Sequence, residues 1–275
     1  MKKNFKKGKR LISLLLSVVM VLSLCACGGS GSSYGVNELE VLVEQEYSLA
    51  FRTDDPLYFY IVGALEVLAA RGTTEELTRK WFGQNITSYE KNAAALDNYD
   101  IPKNKDFAIG VDIDSFPLAY ASNGTFWGYD IELANAVCDL LGWNLSIREI
   151  EKENVYIELM SGNIDCAWGG IALDQEMIDS EQYMQYGPYM KNNIVVASRD
   201  SAGIWNQLKL SNKHMCMPTT TEATEALNSD PKLTKRLGQV TRLAGGAVEC
   251  FEYLYSGKCD VILTDSAAVY YYNCH

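Results

Sequence analysis

Apolar residues recur along this chain with two different periods. The segments FAIGV (107–111), LSIRE (145–149) and IDCAW (164–168) are short runs rich in β-branched and aromatic residues, which predicts strands. Between the first two, Ile131, Ala134, Val137 and Leu141 follow Asp130 at helical spacing, and Gly142 stands where a left-handed C-cap belongs. Val155 and Leu159 mark a shorter helix over 153–162. Strand, helix, strand, helix, strand at this spacing predicts a parallel sheet joined by right-handed crossovers. Farther on, NIVVA (193–197), HMCM (214–217) and CDVILTD (259–265) alternate with helical stretches at 221–228 and 247–256, the pattern of a second α/β lobe.

The segment before residue 84 has the same character. EYSLAFR (46–52) reads as a strand, and Asp55-Pro56 offers an N-cap with Pro at the first helical position. Ile61, Ala64, Leu65 and Leu68 then form one apolar stripe that Gly72 ends. Thr73 with Glu76 fits a capping box for a further helix, anchored by Leu77 and Trp81 and stopped by Gly83. Residues 84–105 are polar and rich in Asn, as in a linker with one short helix at most.

The first ten residues carry Lys2, Lys3, Lys6, Lys7, Lys9 and Arg10 with no acid, and Leu11–Leu24 is a largely apolar run of 14, short for a membrane span. That pattern predicts a secretory signal over 1–26. Its end, LCAC, resembles a bacterial lipobox, which makes Cys27 the expected lipidated residue and 27–35 a flexible tether. Without the six signal cations, 18 basic side chains face 35 acidic ones, a net charge of −17. Such a surface repels nucleic acid and anionic lipid, so membrane attachment is assigned to the lipid.

Six cysteines lie beyond Cys27, with no C-x-x-C pair, and the chain has two histidines, so zinc-type spacing is absent and no metal or other cofactor is expected. Cys138 and Cys166 fall in apolar patterns where a thiol acts as a small hydrophobe. Cys250 and Cys259 are the expected pair if a disulfide forms.

FPLAYASNGTFWGYDIELANAVCDLLGW, LMSGNIDCAWGG and GPYMKNNIVVASRDS resemble the bacterial extracellular solute-binding proteins of amino-acid ABC transporters, family 3, which have a type II periplasmic-binding-protein fold. The resemblance spans about 36–83 and 106–274. In that family the segment resembling EYSLAFRTDDP through WFG closes the chain, whereas here it opens it, so a circular permutation is expected. Residues 84–105 would join the old termini, reaching up to ~70 Å at ~3.3 Å per residue. The implied organisation is α/β with two lobes: one from 52–190, the other from 36–47 plus 194–275, with hinge strands near 48–51 and 191–193.

The resemblance implies a monomeric binding lipoprotein that closes around a small amine or amino acid and presents it to an ABC permease, without catalysis. A ligand sensor that serves no permease, and a dehydratase of the same fold, are the alternatives. Asp265 stands where the family holds the ligand's α-ammonium, although it also fits an N-cap for the following SAAVYYY. The family's carboxylate-binding Arg and Thr positions fall at Met177 and Ala172. Backbone N–H groups near Gly170 and Ala172, with the hydroxyls of Thr219, Thr220 and Thr221, are the expected substitutes, and Lys152 sits about where relatives place an aromatic wall. Ser115 takes the place of a stacking aromatic, with Phe116 and Tyr120 adjacent. Trp168 fits either a stacking face or the core, and Asp112 either a ligand contact or a solvated loop.

Overall fold

The apolar runs fold into two five-stranded sheets flanked by helices. The computed structural model describes residues 35–172 and 182–275. The chain begins with β1 (Val36–Val43), β2 (Glu46–Arg52), α1 (Leu57–Ala70) and α2 (Thr73–Phe82). Next come β3 (Asp106–Val111), a small hairpin of β4 (Tyr120–Ser122) and β5 (Thr125–Trp127), α3 (Tyr129–Leu141), β6 (Asn144–Glu149), α4 (Val155–Met160) and β7 (Cys166–Ala167). After β8 (Tyr183–Lys191) and β9 (Ile194–Arg199) follow β10 (His214–Pro218), α5 (Thr221–Ser229), α6 (Pro231–Arg236), β11 (Gln239–Leu243), α7 (Gly246–Tyr255), β12 (Val261–Asp265) and α8 (Ser266–Cys274).

The first sheet has the order β6-β3-β7-β2-β8, the second β1-β9-β12-β10-β11. In the first, β3 runs parallel to β6 and β7, as the alternation of strand and helix predicts. In the second, β10 runs parallel to β11 and β12. Each parallel trio is flanked by an antiparallel strand, β2 in one and β9 in the other. The chain passes from the second sheet to the first at Glu44–Gln45 and returns at Asn192–Asn193. Residues 48–51, expected as a hinge strand, lie inside β2, paired to β8, because Leu49 and Phe51 on one face and Ala50 on the other are all buried in the first lobe.

Period-two alternation sets the second sheet's two faces. Along β9, Val195 and Ala197 join one apolar cluster with Cys216, Phe251 and Ile262, while Ile194 and Val196 join another with Met215, Leu227 and Leu263. Cys250 and Cys259 lie in the first of these clusters as free, buried thiols, so the expected disulfide is not formed. Burial pushes both thiols up, which suits them as small hydrophobes.

The leading helices form as their sequence predicts, with one change. Asp55 caps α1 through its carboxylate, which accepts the Leu57 N–H at 3.0 Å, and Ile61, Ala64, Leu65 and Leu68 are buried. Each of the Ile and Leu side chains contributes about 1.5–3 kcal/mol. Thr73 makes no capping box: Gly72 is the residue preceding the helix, in the left-handed region, and Thr73 already lies inside it.

Residues 84–105 contain turns and no α-helix, and they are packed along the first lobe. Ser88 donates its N–H to the Tyr189 carbonyl at 2.8 Å, the hydroxyls of Tyr89 and Tyr129 are 2.9 Å apart, and the Tyr89 ring stacks on Tyr189. Composition hides this, since a few well-spaced aromatic anchors suffice among many Asn and Asp. At the far end of the chain, Asn273 accepts the Val36 N–H and donates to the Val36 carbonyl, both at 2.9 Å. Among the described residues no helix is long and apolar enough to cross a membrane.

Candidate ligand-binding cleft

Strand ends of both sheets converge on one cavity. Asp112 follows β3, Gly170 and Ala172 follow β7, Thr220 follows β10, and Asp265 ends β12, so the carboxyl ends of parallel strands supply the walls, the usual ligand position in open α/β sheets. The cavity is small, about 60 Å³. Its neighbour is a wider groove of about 740 Å³, which shares Gln45, Lys152, Ala172, Ile194 and Glu222 with it and adds Glu44, Glu225 and Lys191.

Of the residues expected from sequence, Asp112, Ser115, Lys152, Gly170, Ala172, Thr220 and Asp265 line the cavity. Four do not. Trp168 is 1 % exposed and belongs to the core of the first lobe, one residue short of the turn that reaches the cavity. Phe116 and Tyr120 pack on each other, and Phe116 also meets Tyr271 and Tyr272 of α8, so these rings fill an aromatic seam away from the cavity lining. Thr221 is exposed as the first residue of α5, because Thr220 takes the cap position and accepts the Ala223 N–H at 3.3 Å. Met177 and Cys27 lie outside the described residues.

The lining also includes residues that sequence reasoning passed over: Tyr47 and Gln45 near the crossover, Asp114, Glu222 and Thr264. Asp114 and Glu222 were findable, each being an acid within two residues of a predicted site position. Tyr47 and Thr264 carry no local signal, since their neighbours read as ordinary strand.

The cavity is strongly acidic. Burial first, and then the negative charges of Asp112 and Glu222, push the Asp265 carboxyl up to about 7, against a hydrogen bond from Asn192. That bond is long, 3.4 Å from Asn192 Nδ2, and the same nitrogen donates to the Tyr47 hydroxyl at 3.1 Å. Asp265 makes no capping bond to α8, so the capping role is not what its side chain does. Asp112 is pushed up to about 6, mainly by burial; the Asp114 N–H, at 2.9 Å, holds it down, while the charges of Asp114 and Glu222 raise it.

The cavity wall next to β7 is fixed from behind. Asp130, fully buried, accepts the Gly170 N–H at 3.1 Å and the Tyr189 hydroxyl at 2.9 Å. Burial pushes Asp130 up to about 7 against the pull of those bonds. Ser115 Oγ donates to the Gly170 carbonyl at 3.0 Å. Gly170 has φ +70°, and a Cβ there would collide with the Ser115 side chain, so only glycine fits. The Gly170 N–H is therefore spent on Asp130 and is not free to bind a ligand carboxylate, contrary to expectation.

Several known proteins are similar to parts of this chain. A probable amino-acid-binding protein of Bacillus subtilis (strain 168), YxeM, is 27% identical over 88 residues, which is 32% of this chain and 33% of that protein. This chain thus spans about a third of the length of that curated relative. A crystal structure of a polar amino acid ABC uptake transporter substrate-binding protein from Streptococcus thermophilus is 27% identical, with a TM-score of 0.46, over 61% of this chain and 67% of that one. An ancestral cationic amino acid solute-binding protein, AncCDT-1, matches with a TM-score of 0.51 at 21% identity over 61% of this chain and 72% of the other, a likeness of fold. The sequence profile of the bacterial extracellular solute-binding proteins, family 3, matches residues 107–244. With two α/β sheets meeting at an acidic cleft and half its length within that match, the chain belongs to the bacterial extracellular solute-binding proteins, family 3.

Proposed function

We propose that this chain is the capture component of an ABC importer, tethered outside the cell by lipid on Cys27, and that its two lobes close over a polar amino acid or related small amine. Asp265 carries this reading: a carboxylate crowded by Asp112 and Glu222, with one long hydrogen bond, on the wall of a cavity lined from both sheets. A ligand ammonium relieves that crowding by supplying the missing positive charge and donors. The Bacillus relative's description as amino-acid-binding points the same way.

A ligand that touches both walls binds the closed arrangement better than the open one, which shifts the lobes toward closure. The crossovers at Glu44–Gln45 and Asn192–Asn193 serve as the hinge, and the permease reads the closed shape; no bond is made or broken. The chain is read as a circularly permuted monomer. Segment 36–83 precedes the family match, yet it supplies an edge strand to the second sheet and a central strand, β2, to the first. A stray upstream tail would have no such places to fill.

A thermal-shift screen of amino acids and amines tests the reading. A ligand at ~100 times its Kd adds about 2.7 kcal/mol to stability. Asp265→Ala is expected to abolish the shift for any amine that produces one; an unchanged shift would remove the ammonium assignment.

A further inference from the structure

We infer that the cavity selects a carboxylate-free dication, an α,ω-diamine, over the corresponding α-amino acid. This rests on the reading of the cleft as a ligand site and names the ligand's chemical class. Among the described residues the walls carry Asp112, Asp114, Glu222 and Asp265 against one cation, Lys152, which already interacts within the protein. The adjoining groove adds Glu44, Glu46 and Glu225 together with Lys191, whose Nζ lies 3.4 Å from Glu46. A zwitterion entering here would satisfy one of these charges and set its own carboxylate among the others.

Among the described residues, the cavity lining holds no Arg that could grip that carboxylate with two bonds. The sequence of 173–181, LDQEMIDSE, contains neither Arg nor Lys. The Gly170 N–H is held by Asp130, and the Ser115 hydroxyl donates to the Gly170 carbonyl. The N-terminus of α5 is an anion-friendly feature, but Thr220 caps it from within and Glu222 in its first turn already supplies the negative charge. Burying a charged group unpaired is costly, so the α-carboxylate is a net penalty at this site.

A second observation, independent of the acids, marks the cavity as a place awaiting a polar ligand. Thr264 lines it, is 4 % exposed, and its Oγ1 has no hydrogen-bond partner among the described residues. Buried hydroxyls are ordinarily paired. An ammonium with three donors gives this oxygen a proton to accept while also serving Asp265, its neighbour on β12.

The matched pair of cadaverine and lysine, which differ only in the α-carboxylate, tests the inference by isothermal titration. Cadaverine is expected to bind at least about tenfold more tightly than lysine. Asp265→Asn and Glu222→Gln are each expected to weaken cadaverine about tenfold or more, the effect of deleting one partner of a charge-assisted bond; Glu222→Gln, in the first turn of a surface helix, keeps the test valid if Asp265→Asn fails to fold. Lysine binding as tightly as cadaverine, or any α-amino acid binding while cadaverine, putrescine and agmatine do not, overturns the diamine inference and leaves the ligand-binding role standing. Silence from all amines and all amino acids overturns both together.

Discussion

On the wall of the cleft built by the first sheet, Gly170 gives its N–H to Asp130 and its carbonyl to Ser115, and Asp130 is further held by Tyr189. On the wall built by the second, among the described residues, Thr264 keeps an unpaired hydroxyl and Asp265 has one hydrogen bond of 3.4 Å. Both walls end parallel strands of similar sheets, so the topology does not make the difference. The first wall is satisfied by the protein itself and acts as a rigid template. The second leaves polar groups unmet, which under the proposed function is the cost a binding site bears when empty.

The largest effect is expected from breaking the satisfied wall. Gly170→Ala would force a Cβ against Ser115 at a left-handed φ, with about 2–5 kcal/mol lost from strain and overpacking combined. Urea denaturation measures it, and a loss below about 1 kcal/mol would mean that this turn can rearrange. Asp130→Ala should cost about 2–4 kcal/mol in the same assay by leaving the Gly170 N–H and the Tyr189 hydroxyl buried without a partner.

Acidity acts on both walls with a definite sign. Asp265 and Asp130 keep their protons up to about pH 7 and Asp112 up to about 6, whereas unfolded carboxyls release theirs near pH 4. The folded state therefore binds more protons between those limits, and the unliganded protein should gain stability as pH falls from 8 toward 5. Affinity for a cation should move the opposite way, since Asp265, facing Asp112, Glu222 and Tyr47, must ionise to hold it. Thermal melts and titrations at pH 8 and 5.5 check both; parallel trends would contradict this account.

The smallest effect belongs to the waiting wall without its guest. Thr264→Val removes a hydroxyl that has no partner, so the empty protein should change by less than about 1 kcal/mol, while amine affinity falls severalfold. A clear loss of stability in the empty protein would show that Oγ1 is satisfied after all.

Much of this molecule was legible before folding. β-branched runs, helical spacing and the glycines at 83 and 142 predict the elements because each depends on a few neighbouring residues, and both glycines do cap their helices in the left-handed region. Asp265 and Asp112 were legible through family resemblance and strand-end position. The use of the Gly170 N–H was not, since its partner Asp130 lies forty residues earlier on another element. Trp168 could have faced either way until the sheet's register set it in the core. The linker misled for a related reason: Tyr89 contributes to the core through contacts with Tyr129 and Tyr189, which its Asn-rich surroundings do not announce.

The titration of the Asp265 carboxyl, followed by side-chain NMR with and without a bound amine, tests the central claim most directly. The account predicts a midpoint near pH 7 in the empty protein that drops well below that once the amine is bound. A midpoint near pH 4 in the empty protein, or one that a bound amine leaves unmoved, would contradict it.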